Sequence, residues 1–181
     1  IMQYRDFGFK KKVSEISFGT WGLGNNHSPG YGKTDDNESI KSLNLALENG
    51  INFFDTADLY GLGHSEKIIS KAFKNKRDKI ILASKGGTLP HNKLYMPQDF
   101  SKKYLNQALE KSLKRLNTDY IDLYQLHSPK VEDIENNECV ETLNKMVTSG
   151  KIISFGVSVR SPSDALKLIK KFNINYIQTK F

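Results

Sequence analysis

Within six positions, Asp55-Thr56-Ala57-Asp58-Leu59-Tyr60 sets out two carboxylates and a phenol directly behind the apolar run Ile51 to Phe54. A strand thus delivers ionisable groups to its own C-terminal end. In a parallel α/β protein that end is where ligands bind, because the loops there carry no duty in packing helices onto the sheet. The same arrangement recurs down the chain. Lys79 to Ala83 runs into Ser84-Lys85-Gly86-Gly87, Asp119 to Leu126 into His127, Ile152 to Val157 into Ser158, and a strand from Asn175 ends at Gln178. Taken singly these residues have ordinary explanations: a turn cap, a half-buried aromatic, a surface charge, a donor to a loop carbonyl. Gathered at one rim, they form a set for acid catalysis. A tyrosine that must donate a proton near neutral pH starts from a pKa of about 10, and an adjacent ammonium favours the phenolate. Asp55, Lys85, Tyr60 and His127 supply those groups.

The elements that must position them alternate. Residues 2 to 15, with Tyr4, Phe7, Phe9 and Val13 around Gly8 and Lys10-Lys11-Lys12, read as a β-hairpin with the lysines in a solvated turn. Ile16 to Phe18 is a short strand ending in the glycine-rich Gly19-Thr20-Trp21-Gly22-Leu23-Gly24. A helix follows from caps at Asp35-Asp36-Asn37 through Asn49, stopped by Gly50, and another runs from Ser65-Glu66 to about Asn75. Ser101 caps a helix bearing Leu105, Leu109, Leu113 and Leu116. A fourth helix covers about Asn136 to Ser149, and a fifth starts at Ser161 with Pro162 in its first turn and reaches about Phe172. Six strands and five helices after the hairpin imply one domain built on a parallel sheet with right-handed crossovers, either doubly wound or a (β/α) barrel. A dinucleotide fingerprint is absent: from Gly22 its third glycine is replaced by His27, from Gly61 by Glu66, and no phosphate-loop lysine follows.

Composition excludes several classes. The 181 residues are 38% hydrophobic, enough for a core, with no apolar run of about 18 residues and no leader-like segment behind the first charges. A soluble, untargeted cytoplasmic chain is expected, with no membrane partner. The formal net charge is +7, but 23 of the 27 basic residues are Lys and they are dispersed, which argues against a nucleic-acid partner. Cys139, the one cysteine, has no internal disulfide partner and is expected to have a structural or surface role rather than a nucleophilic one. The four histidines show no i, i+4 pair or Cys/His cluster, so a metal-free site is expected.

The chain resembles the aldo-keto reductase family. The matching stretches are Gly19-Thr20-Trp21-Gly22, Asp55-Thr56-Ala57-x-x-Tyr60-Gly61-x-Gly63-x-Ser65-Glu66, Ala83-Ser84-Lys85-Gly86-Gly87, the run Ser112 to His127 with Arg115 and Asp119-Tyr120-Ile121-Asp122, and Gly156-Val157-Ser158. They follow the family's order and spacing through nearly the whole chain. The resemblance implies a (β/α)8 TIM barrel closed at its base by the hairpin, reducing the carbonyl of a small aldehyde or ketone with NADPH and no metal. It makes Tyr60 the general acid, Lys85 the ammonium that eases loss of its proton, Asp55 the partner that holds Lys85, and His127 the group that orients the carbonyl. Ser158 and Gln178 are the expected carboxamide contacts of a nicotinamide, and Gly19, Thr20 and Trp21 the lining of the cofactor and substrate mouth. Val159 stands where the family usually has Asn. A whole barrel takes about 250 residues, so two strands and three helices, with the adenosine-binding segment, are expected beyond Phe181, the alternative being an assembly in which another chain covers the open edge. The family also includes channel-associated regulatory subunits; a cofactor-binding subunit and an inactive partial barrel are the alternatives to an enzyme.

Overall fold

A computed structural model describes residues 2–24, 32–90, 96–136 and 138–179. Two short antiparallel strands, β1 (Tyr4–Arg5) and β2 (Val13–Ser14), form the expected hairpin with Tyr4 opposite Ser14. The exposed Lys10, Lys11 and Lys12 lie in its connection. The hairpin spans the N-terminal ends of the strands that follow. Asn52, just before β4 (Phe53–Asp55), accepts from the Ser14 amide at 2.8 Å and donates to the Lys12 carbonyl at 2.8 Å. At the other side, Tyr176 donates to the Phe7 carbonyl at 2.8 Å and stacks on Phe9 at 5.4 Å between centroids.

Six parallel strands follow: β3 (Ser17–Gly19), β4, β5 (Ile81–Gly86), β6 (Ile121–His127), β7 (Ile152–Ser158) and β8 (Ile177–Gln178). Their spatial order is their sequence order. A doubly wound sheet reverses order at its switch point, whereas a barrel adds each strand beside the last, so this order selects the barrel. The described chain is therefore a six-stranded parallel arc of a TIM barrel. Register carries the site: Asp55 pairs with Ala83, Lys85 with Gln125, His127 with Ser158, and Ser158 with Gln178. Residues two apart share a face, which puts Phe53 and Asp55, Leu123 and Gln125 together on the concave side, where with Gln178 they line a cavity of about 280 Å³.

Helices cover the convex side. In α1 (Asp36–Glu48) the Asp35 side chain accepts from the Glu38 amide, Asp36 and Glu38 favour the positive N-terminal end, and Leu43 is fully buried. α2 (His64–Ala72) places Ile68 and Ile69 in the core beside Phe73, whose ring lies 4.5 Å from that of Phe54. α3 (Lys102–Leu116) is capped by Ser101, buries Leu105, Leu109, Leu113 and Leu116 along one stripe, and ends at Asn117 in the left-handed region. Each such buried leucine contributes about 1.5–3 kcal/mol over its exposed state. α6 (Pro162–Phe172) starts on Ser161 with Pro162 in the first turn, as its sequence predicts.

The structure departs from the sequence expectations at three places. There are six helices, not five, among the described residues: α4 (Val131–Asn136) precedes α5 (Cys139–Thr148). A six-residue helix holding one buried apolar side chain, Ile134, is too short to show a period; Asp133 accepting from the Lys130 amide starts it, and Glu138 at φ 49° separates it from α5. α2 stops at Ala72 rather than near Asn75, which sits at φ 65°. β5 begins later than expected, after a 3-10 turn at Arg77–Lys79, and runs through Lys85, so Lys85 lies within the strand. His27, Ile1 and Phe181 fall outside the described residues. No helix among the described residues is long and apolar enough to cross a membrane.

Candidate active site

The four residues expected to form the acid set converge at the C-terminal rim. Lys85 Nζ, on a side chain 1% exposed, donates to Asp55 Oδ2 at 2.6 Å, to the Thr56 carbonyl at 3.0 Å and to the Tyr60 hydroxyl at 3.2 Å. Three acceptors saturate the three ammonium protons. The imidazole of His127 stands edge-on to the Tyr60 ring, 5.9 Å between centroids at 83°. Its Nδ1 is buried with no hydrogen-bond partner. Burial first, then the Lys85 and Arg160 charges, push the His127 pKa down to about 3, so the imidazole is neutral near pH 7. A neutral imidazole can donate its one N–H to a carbonyl oxygen without adding charge.

Local structure explains these positions. Asp55 closes β4, and Thr20 holds its backbone: the Thr20 amide and hydroxyl both donate to the Asp55 carbonyl, at 2.9 and 3.0 Å. Ser65, in the first turn of α2, donates to Thr20 Oγ1 at 2.7 Å and lies 3.1 Å from the Thr56 hydroxyl. Tyr60 opens a 3-10 turn (Tyr60–Gly63) in which Gly61 has φ 58°. A Cβ at Gly61 would lie 2.0 Å from the Gly24 carbonyl oxygen, so only glycine permits this contact between the two loops. Gly63, at φ 87°, lies under the Arg115 side chain, where a Cβ would come within 2.4 Å. Arg115 reaches across it to the fully buried Glu66, donating at 2.6 Å, and Ser84 donates to the other Glu66 oxygen at 2.7 Å. This pair ties α2, α3 and β5 together behind the rim.

The remaining expected residues divide. Ser158 and Gln178 are half-buried neighbours on β7 and β8, beside His127 in register. Val159 is buried in the apolar core and has no side-chain hydrogen bond to give; its amide donates to the Gln178 carbonyl at 2.8 Å. Trp21 is 43% exposed, and Gly19 is exposed at the end of β3. Thr20 is fully buried, and its hydroxyl braces Asp55; a hydroxyl beside a strand end serves the backbone as readily as a ligand. Cys139 is buried, its thiol raised to about 11 by burial and then by Asp133.

Sequence reasoning missed Gln125, whose amide nitrogen lies 3.4 Å from Asp55 Oδ1. Its spacing two before His127 on the same strand is a sufficient signal. It also missed Thr88 and Gln98, which both donate to the His127 carbonyl, at 2.9 and 2.8 Å, and so fix that strand end. Among the described residues no group of three or more His, Cys, Asp or Glu is placed to hold a metal ion.

A buried Asp–Lys pair holds a tyrosine hydroxyl, with a histidine edge-on to the tyrosine ring at the barrel rim. The family model for the Aldo/keto reductase family matches residues 15–181. The chain belongs to the aldo/keto reductase family. It is 39% identical over 170 residues to a Bacillus subtilis protein named uncharacterized oxidoreductase YqkF, covering 93% of this chain and 52% of that protein. The chain thus spans about half the length of this curated relative. The holo form of aldo-keto reductase AKR11C1 from Bacillus halodurans superposes with a TM-score of 0.86 at 36% identity, covering 100% of this chain and 58% of that one. An aldo/keto reductase from Klebsiella pneumoniae in complex with NADP and acetate has a TM-score of 0.76 at 29% identity, covering 93% and 53%.

Proposed function

We propose that the protein to which this chain belongs reduces the carbonyl of a small aldehyde or ketone to an alcohol, with NADPH as reductant. The observation that carries the reading is Lys85 Nζ held between Asp55 and the Tyr60 hydroxyl, at 2.6 and 3.2 Å. A reduced nicotinamide supplies the hydride when bound. The chain's own residues supply the proton. Tyr60 gives its hydroxyl proton to the carbonyl oxygen, and the phenolate left behind faces the buried Lys85 ammonium, which stabilises it. Asp55 keeps that ammonium in place. His127 hydrogen-bonds the same carbonyl oxygen and aligns it with Tyr60; as a neutral group it does not repel Lys85. Ser158 and Gln178 would hold the nicotinamide carboxamide, with Val159 contributing packing in place of a side-chain hydrogen bond. The choice of NADP is supported by the Klebsiella pneumoniae neighbour. The intact acid set favours turnover over a purely regulatory subunit.

The test is oxidation of NADPH by the full-length protein across a panel of small aldehydes and ketones, alongside cofactor titration. Carbonyl-dependent oxidation is expected. Tight cofactor binding with no turnover on any carbonyl would replace the enzyme with a cofactor-binding subunit.

A further inference from the structure

Two enclosed polar atoms beside the Tyr60 loop have no partner: Asp58 Oδ1 and the Tyr124 hydroxyl. Asp58 lies two residues before Tyr60, and its backbone amide donates to the Lys85 carbonyl at 3.1 Å. The residue is thereby tied through its main chain to both members of the acid pair. Its side chain faces a cavity of about 260 Å³ between the turn after Tyr60 and α3, lined also by Tyr104, Gln107, Lys111 and Arg115. Glu66 on α2 repels a charge at Asp58, and Arg115 on α3 and Lys85 on β5 attract it. Tyr104 on α3 and Tyr124 on β6 feel that same charge. The two nearest cations are already committed, Arg115 to Glu66 at 2.6 Å and Lys85 to Asp55 at 2.6 Å. A carboxylate here would set a second negative charge beside the buried Glu66, with one oxygen enclosed and no cation of its own. Burial, then Glu66, accordingly push the Asp58 carboxyl up to about 7.

We propose that Asp58 is a positioning residue for the acid pair, and that Tyr60 is correctly held against Lys85 only while Asp58 is a neutral acid. On losing its proton the side chain is drawn from beside Glu66 towards solvent through the cavity. The main chain it moves runs directly into Tyr60. The turn transmits the shift through its main chain: the Asp58 amide is bonded to the Lys85 carbonyl, and the Tyr60 and Leu62 amides to the Ala57 and Leu59 carbonyls, so a displacement at residue 58 is passed to both Lys85 and Tyr60. The kinetic consequence rests on the reading of Tyr60 as proton donor; the structural one does not.

The test is ¹³C NMR of the full-length protein, labelled at aspartate Cγ and tyrosine Cζ, titrated from about pH 5 to about pH 9 and read beside Asp58→Asn. Tyr60→Phe serves to assign the Tyr60 signal. In the wild type, Asp58 Cγ and Tyr60 Cζ should move together with a midpoint near 7. In Asp58→Asn the Tyr60 movement at that midpoint should vanish. Where turnover is present, kcat of the wild type should fall about tenfold or more through the same midpoint, and Asp58→Asn should lack that limb. An Asp58 carboxyl titrating at about 4 overturns the proposal even if the variant fails to fold. So does a Tyr60 midpoint that survives in Asp58→Asn. A wild type inactive on every carbonyl would refute the proposed reduction alone, since the NMR shifts need no turnover.

Discussion

Replacing Lys85 with Met is expected to destabilise the fold by about 3–5 kcal/mol. At 2.6 Å from Asp55 the ammonium gains roughly 6 kcal/mol of attraction at an effective dielectric of about 20. Removing two ions from water costs several kcal/mol each, so the intact pair is close to neutral for stability. The single substitution breaks that balance. Met fills similar space, but Asp55, 7% exposed, is left among the described residues with the Gln125 amide at 3.4 Å as its one side-chain partner, and the Thr56 carbonyl loses its Lys85 donor. The double variant Lys85→Met/Asp55→Leu removes both charges and should return to within about 1 kcal/mol of the wild type. Urea unfolding followed by far-ultraviolet circular dichroism, with m-values compared, reads both numbers. A single variant that loses less than about 1 kcal/mol, or a double variant as unstable as the single, would refute a buried pair retained for chemistry rather than for stability.

Two further outcomes follow from backbone and burial. Asp58 carries a folded pKa of about 7, above its unfolded value of about 4, so its contribution to stability is fully present below about pH 4 and is lost as pH rises through about 7, by at most about 4 kcal/mol. Urea midpoints measured across that range should fall with pH in the wild type more than in Asp58→Asn; parallel curves would contradict the assignment. Gly61→Ala and Gly150→Ala both place a side chain at positive φ, 58° and 75°, but the new Cβ meets the Gly24 carbonyl at 2.0 Å in the first and nothing within 4 Å in the second. A loss of about 1 kcal/mol is expected at Gly150 and at least about 3 kcal/mol at Gly61, and equal losses in thermal unfolding would count against the loop contact.

The parallel sheet was legible because each strand carries its own apolar run and each crossover its own period, and because Ser101, Ser161 and Pro162 mark helix starts locally. Strand order was not, since both doubly wound and barrel folds alternate strand and helix; the order from β3 to β8 is a long-range property. The acid set was legible for a related reason: Asp55, Lys85 and His127 close or nearly close their strands, so naming the strands names the rim. Residues that act through the backbone escaped. Thr20 has the composition of a ligand contact, yet its hydroxyl is spent on the Asp55 carbonyl. Gln98 reaches His127 over 29 positions with no period to announce it. In α4 one buried isoleucine in six residues leaves no pattern, and nothing local in the sequence marks the enclosed Asp58 oxygen or the buried Glu66 near it.

The central claim is that Tyr60 gives the proton. Its most direct test is single-turnover carbonyl reduction by Tyr60→Phe in the full-length protein with NADPH prebound. The account predicts cofactor affinity close to wild type and a reduction rate lower by about 100-fold to 10,000-fold. Reduction at the wild-type rate by Tyr60→Phe would remove Tyr60 from the acid role.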